Sequence, residues 1–162
     1  MSRLSRIVIV AVMALGLGAI ASAQARKLTE SDLPEPVKAK AAEVIGSGKV
    51  TGYWERNEAG RIVYEVDVVV DGRAKGVLIS PDGAVLVIQA EVPWDALDPN
   101  VQSGLKKAAG DGKVVQVYSV EGDGKIQRYI ATVDNGGKKS KVEVGPDGAP
   151  PAPPEGSGSE GN

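Results

Sequence analysis

The chain has 162 residues, of which 42% are hydrophobic and 25% charged, and its formal net charge is −2. It contains no His and no Cys, which excludes nucleophiles activated by histidine, thiolate or imidazole zinc sites, histidine-ligated haem and disulfide bonds. The balanced charge, without a basic run, argues against a nucleic-acid surface. These counts describe a small globular protein that depends on its hydrophobic core for stability.

Residues 1–23 have the features of a secretory signal peptide. Arg3 and Arg6 provide a positive start, residues 7–20 are apolar and uncharged, and residues 21–23 (Ala-Ser-Ala) form a small-residue cleavage site. Fourteen apolar residues rise about 21 Å as a helix, less than the roughly 30 Å of a hydrocarbon core, so an uncleaved anchor is the weaker interpretation. We therefore expect export to the periplasm or the extracellular space, with no stable membrane anchor after cleavage.

The C-terminal residues 145–162 are rich in Pro and Gly and contain no apolar side chain larger than Ala or Pro. Such a composition cannot bury enough surface to offset the entropy of ordering the chain. We expect residues 150–162 to form a disordered tail that acts as a spacer or a solubilising segment; a ligand for proline-recognising domains is the alternative. Residues 24–32 are expected to be an N-terminal linker.

Between these ends, the sequence repeats itself at an offset of 64 residues. The apolar positions of a predicted amphipathic helix occur twice: Leu33, Val37, Ala41, Val44 and Ile45, then Leu97, Val101, Leu105, Ala108 and Ala109. Past Ile126 the offset becomes 65, so that Tyr64 matches Tyr129, and the inserted residue predicts a β-bulge. The repeats are expected to span residues 33–92 and 97–149.

After each predicted helix, the hydrophobic period changes from 3.6 to 2, which predicts strands. The predicted strands cover residues 49–56, 61–70, 74–80, 84–91, 113–120, 125–133 and 138–144, and the short turns between them require antiparallel neighbours. The expected fold class is α+β, with two tandem helix-plus-antiparallel-sheet repeats that form one extended curved sheet. Both helices should lie on one face of this sheet, leaving the other face open.

No catalytic residue, cofactor or metal ion is predicted. The Asp-Gly pairs lack the run of oxygen ligands of an EF-hand and are typical of tight turns. Ser103 and Lys106 have the Ser-x-x-Lys spacing of penicillin-interacting enzymes, but the other motifs of those enzymes are missing. Most carboxylates are expected to meet water, either beside turn glycines or on strand faces such as that of Glu65 and Asp67, and a carboxylate pair at glycosidase separation stays open.

Aromatic residues are scarce, and four of them are candidates for partner binding: Tyr53, Trp54, Trp94 and Tyr118. Neighbours in a strand point to opposite faces, so one of Tyr53 and Trp54 should lie on the open face. Trp94, in the link between the repeats, either contacts a partner or seals the junction. Tyr64 and Tyr129 are expected in the core.

These features together resemble the PepSY-like domain family, which is related in fold to secreted β-lactamase-inhibitor proteins. The resemblance lies in two copies of a Leu-Pro or Leu-x-Pro helix start, Gly-x-Gly-Lys-Val, Gly-Arg/Lys-Ile, a strand tyrosine and a closing Asp-Gly turn, over residues 33–149. It implies an exported, non-enzymatic module that binds and restrains an extracytoplasmic hydrolase such as a protease, with an open concave sheet as the binding face. The disulfides of the inhibitor relatives are absent here.

Two other functions stay open. The first is a structural or solubility factor of the cell envelope, in which the C-terminal tail is the working element. The second is an enzyme that uses only Asp, Glu, Ser, Lys or Tyr, for which the sequence shows no convergent group of residues.

Overall fold

The computed structural model describes residues 25–58 and 60–151. The predicted signal peptide and residues 152–162 of the predicted tail lie outside the described residues, so both stay predictions. The described chain contains two α-helices, α1 (Glu35–Ile45) and α2 (Pro99–Ala109), each preceded by a short 3₁₀ turn. Its strands are β1 (Arg26–Leu28), β2 (Lys49–Glu58), β3 (Arg61–Val70), β4 (Arg73–Ile79), β5 (Val85–Glu91), β6 (Lys113–Gly122), β7 (Lys125–Asn135) and β8 (Lys138–Val144).

The eight strands form one sheet in the order β1 to β8, and each strand is antiparallel to the next. The predicted arrangement of two tandem helix-plus-sheet repeats is therefore wrong, because β5 and β6 pair across the expected boundary, from Ile88–Glu121 to Glu91–Tyr118. Direct pairing satisfies backbone groups that two separate sheets would leave at open edges. The fold is dominated by this one sheet, and both helices pack on the same face of it.

Local sequence explains where the helices begin and end. Asp98 caps α2 by accepting a hydrogen bond from the Asn100 amide at 2.8 Å, and Pro99 follows in the first turn, where a missing N–H costs nothing. Both helices stop at a glycine with positive φ, Gly46 at 52° and Gly110 at 58°.

Two hydrophobic clusters form the core, one beneath each helix. The first is centred on α1, β3 and β4 and contains Leu28, Leu33, Val37, Ala41, Tyr64, Val66, Val68, Val77 and Ile79. The second is centred on α2 and the last three strands and contains Leu97, Val101, Leu105, Val117, Ala131 and Val144. Tyr64 is buried in the first cluster and Tyr129 packs against the second, as predicted.

Irregular pairing occurs at corresponding places in the sheet. The register shifts between Val50 and Gly52 on β2 and between Val114 and Gln116 on β6. A further shift leaves Gln127 as an extra residue on β7, since Glu121 pairs with Ile126 and Val120 with Arg128. This extra residue confirms the bulge predicted from the change of offset. Bulges bend a strand and increase its twist.

Candidate binding face

The face of the sheet opposite the helices, which we call the open face, is covered by no helix in the described part of the chain. Cross-strand partners show which side chains share it. Trp54 on β2 lies opposite Glu65 on β3, while Tyr118 on β6 lies opposite Ile130 on β7. The open face is nevertheless well packed at its centre, where Val63, Leu78, Gln89 and Val120 are buried.

Four side chains in the first half of the open face form what we call the polar cluster: Trp54, Arg56, Glu65 and Asp67. The Arg56 Nε donates a hydrogen bond to Glu65 Oε2, and the Trp54 Nε1 donates one to Asp67 Oδ2 at 2.9 Å. Glu65 is 0% exposed and Arg56 is 9% exposed. Gly52 makes room for the indole, since a Cβ there would lie 2.7 Å from Trp54 Nε1.

The electrostatics of the polar cluster follow from its burial. Burial raises the pKa of Glu65 to about 7; the nearby Asp67 adds to the rise, while Arg56 opposes it. Burial also raises the pKa of Asp67, against the hydrogen bond from Trp54 and the charge of Arg56. The second oxygen of Glu65, Oε1, is buried without a hydrogen-bond partner. A charged carboxylate in this position is costly, because it has exchanged water for one guanidinium.

The expectation that Glu65 meets water is wrong. The alternation along β3 correctly predicts that Glu65 lies on the face away from the helices, but side chains of the adjacent strands bury it there. A signal was present in the sequence: residues 54 and 56 point to the same face two positions apart, as do residues 65 and 67. Without the register of β2 against β3, nothing indicated that these two pairs face each other.

The structure separates the four aromatic candidates into two pairs. Trp54 and Tyr118 lie on the open face, on β2 and β6, four strands apart. Tyr118 is only 4% exposed, and burial, with the Glu91 charge, raises its pKa to about 12. Tyr53 and Trp94 instead pack against the core clusters beneath the helices. No single surface therefore contains all four.

Trp94 lines a groove of about 560 Å³ between the end of β5, the end of α2 and the start of β6. The Lys106 Nζ lies 5.4 Å from the centroid of the Trp94 ring, within the range of a cation–π interaction. Trp94 thus packs into the junction and lines the groove, and its contact with a partner stays a prediction.

Exposed apolar residues were missed by the sequence analysis. Four large ones stand at the starts of β3, β5 and β7, and we call them the apolar rim: Ile62, Val85, Leu86 and Ile126, which are 39–41% exposed. Because the sheet is antiparallel, these starts meet at the same end of the sheet. A fifth, Val115, is 45% exposed and lies at the other end, near the start of β6.

Solved structures share this fold. A protein assigned to the periplasm of Bacteroides eggerthii is 19% identical, with a TM-score of 0.58 over 72% of this chain and 84% of that one. A DUF2874 family protein from Bacteroides ovatus is 21% identical, with a TM-score of 0.55 over 72% and 82%. A BLIP-like protein from Bacteroides fragilis is 18% identical, with a TM-score of 0.53 over 72% and 82%. At these identities, the similarity establishes a BLIP-like fold.

None of the family models and none of the curated proteins compared matches the sequence. Within residues 25–58 and 60–151, the structure contains no helix with the length and hydrophobicity needed to cross a membrane. In the same part of the chain, no three residues among His, Cys, Asp and Glu are grouped so that they could hold a metal ion.

Proposed function

We propose that this chain is an exported, non-enzymatic protein-binding module of the PepSY-like type, and that it inhibits or regulates an extracytoplasmic hydrolase such as a protease. In this proposal the partner docks on the apolar rim and on the open face that adjoins it. The observation that carries the proposal is the apolar rim: four of the five large exposed apolar side chains in the described chain lie at one end of the sheet.

The rim is suited to a protein partner because it joins apolar area to polar surroundings. Its residues stand beside the turns between β2 and β3, β4 and β5, and β6 and β7. Exposed apolar groups that recur on alternate strands along one end of a sheet favour an interaction site more than a single exposed residue does. Turns held by a rigid sheet also lose little entropy on binding, which favours affinity.

The open face supports the proposal through composition and rigidity. Trp54 and Arg56 belong to the residue types that dominate interface energetics, and both are held by hydrogen bonds before a partner arrives. Export is supported by the predicted signal peptide and by the periplasmic description of the Bacteroides eggerthii neighbour. The BLIP-like neighbour supports a protein target.

The test is affinity capture from the envelope and secreted fractions of the host, followed by assay of any captured hydrolase. The variant Ile62→Ser, Leu86→Ser, Ile126→Ser should lose the hydrolase that the wild type captures, and it should lose inhibition of that enzyme in the assay. Val115→Ser is the matched control, since it removes an equally exposed apolar group at the other end of the sheet.

Three results would count against the proposal. Equal inhibition by the rim variant would remove the rim from the interface, and capture of a hydrolase without inhibition would leave a binding role alone. If the wild type captures nothing that the rim variant lacks, the alternative of a structural or solubility factor in the envelope gains support.

A further inference from the structure

The polar cluster holds more negative charge than its one buried cation can balance. Glu65 occupies the middle of β3, where Oε2 accepts the Arg56 hydrogen bond and Oε1 has no partner. Asp67 is two residues further along the same face and accepts the Trp54 indole N–H. Two adjacent carboxylates with one buried guanidinium nearby, which bonds to Glu65, favour the uptake of a proton.

The neighbouring strands determine the charges around Glu65. From β2, Arg56 and Glu58 face it, and Glu58 repels its negative charge. From β4, Leu78 and Gly76 lie opposite Glu65 and Asp67 and bring no charge. The next strand, β5, adds Val87 and Gln89, which are also uncharged. From β1, Lys27 lies over Trp54, with its Nζ 5.8 Å from the ring centroid.

We propose that the polar cluster is a proton-operated switch on the open face, in which the buried Glu65, next to Asp67 and with its Oε1 unpartnered, takes up one proton and the Arg56 and Trp54 contacts rearrange in response. A protonated Glu65 becomes a hydrogen-bond donor for the neighbouring Asp67 carboxylate, and its attraction for the Arg56 guanidinium weakens. The open face thereby gains one positive charge. The switch belongs to the chain itself and does not depend on the identity of any partner.

Four other ionisable groups in the described chain have pKa values shifted away from the neutral range. Hydrogen bonds from Thr29 and Ser80 lower the pKa values of Asp32 and Asp82. Burial raises the pKa values of Tyr53 and Tyr118. Burial raises the pKa of Glu65 to about 7, and substitution of Glu65 tests whether a transition between pH 6 and pH 8 belongs to it.

Trp54 is a built-in reporter, because the chain has only two tryptophans. In a Trp94→Phe protein, fluorescence should change sigmoidally with pH, with a midpoint near pH 7. Adding Glu65→Gln should abolish this transition. Adding Glu58→Gln, the matched control, should keep the transition and move its midpoint to lower pH, because the repulsion that favours the proton is lost.

A second measurement covers the case in which the Glu65 variant folds poorly. Carbon-13 NMR of the side-chain carboxyl groups in the wild type should show Glu65 titrating near pH 7. A flat Trp54 signal between pH 6 and pH 8, or a Glu65 carboxyl that titrates near its ordinary value, overturns the switch. Assignment of the neutral transition to Asp67 instead of Glu65 overturns it as well.

Discussion

The two halves of the open face have different types of side chain at corresponding positions of the sheet. In the first half, Trp54 pairs with Glu65 across β2 and β3; in the second, Tyr118 pairs with Ile130 across β6 and β7. These positions correspond at the sequence offsets of 64 and 65. An aromatic residue thus stands opposite a buried charge in one half and opposite an apolar side chain in the other.

The rest of the polar cluster shows the same contrast. Arg56 corresponds to Val120, and Asp67 corresponds to Thr132. At these corresponding positions the second half has uncharged residues, and its ion pair lies between Arg128 and Glu143, 3.4 Å apart and partly exposed. Since apolar side chains in place of a buried ion pair are often neutral or stabilising, the fold alone gives no reason for the charges of the first half.

The largest effect is expected from converting Arg56 to the residue of the second half. Arg56→Val should lower the free energy of unfolding by about 3–5 kcal/mol at pH 8, because it leaves the Glu65 carboxylate buried without its cation. Folding raises the pKa of Glu65 from 4.5 to about 7, so the stability linked to this group is highest below pH 4.5 and falls as the pH rises towards 7. The cost of Arg56→Val should therefore be smaller at pH 5.

The double variant Arg56→Val, Glu65→Ile completes that conversion and is the control. Urea unfolding should show that it regains most of the stability lost at pH 8, with little dependence on pH between 5 and 8. A double variant no more stable than Arg56→Val would mean that the two halves differ in packing and not only in charge.

The two halves of the sheet are expected to unfold together. Leu105 belongs to α2 and is fully buried, whereas the corresponding residue of α1 is Ala41. Leu105→Ala should cost about 2–5 kcal/mol through lost burial and the cavity it leaves. Because β5 and β6 pair directly, circular dichroism and Trp54 fluorescence, in a Trp94→Phe background, should show one transition at the same lowered urea midpoint.

The exposed neighbour Lys107→Ala serves as the control for Leu105→Ala and should change stability by less than about 0.5 kcal/mol. A Trp54 transition that stays in place while circular dichroism reports loss of α2 would show that the halves unfold separately.

A smaller effect is expected where the turn at residues 145–149, after β8, meets α2. A Cβ at Gly104 would collide with the carbonyl oxygen of Gly148, and the corresponding residue of α1 is Lys40. Gly104→Ala should therefore lower stability by about 1–3 kcal/mol, although alanine favours helix by about 1 kcal/mol. Ser103→Ala, at an exposed position in the same turn of α2, is the control. Thermal unfolding is the measurement, and Gly104→Ala should have a lower Tm than the wild type. A higher Tm would show that the backbone at Gly148 shifts away from the new methyl group at little cost.

The smallest effects belong to the two exposed lysines over tryptophan rings. Lys27→Met, beside Trp54, and Lys106→Met, beside Trp94, should each cost at most about 1 kcal/mol, since exposed cation–π pairs are weak. Urea unfolding of both, with Lys107→Met as the control, measures the difference. A loss well above 1 kcal/mol for Lys27 alone would show that β1 holds the polar cluster together.

Much of the local structure was predictable. Period 3.6 with flanking Pro and Gly predicted both helices, and period 2 with short turns predicted β2 to β8, because these signals arise from residues close together in the chain. β1 was not predicted, since three residues are too few to show a period. Of the four aromatic candidates, only Trp54 and Tyr118 reached the open face, because alternation gives two faces without saying which one is helix-free.

The sequence by itself determined which chemistry the chain lacks, where its helices and hairpins form, and which strand positions are apolar. The tertiary structure decided three further things: the register in which β5 pairs with β6, the position of exposed apolar residues at one end of the sheet, and the burial of Glu65 beside Arg56 and Asp67. The physical reason is that cross-strand register joins residues distant in sequence, and the environment of a charge is set by those neighbours.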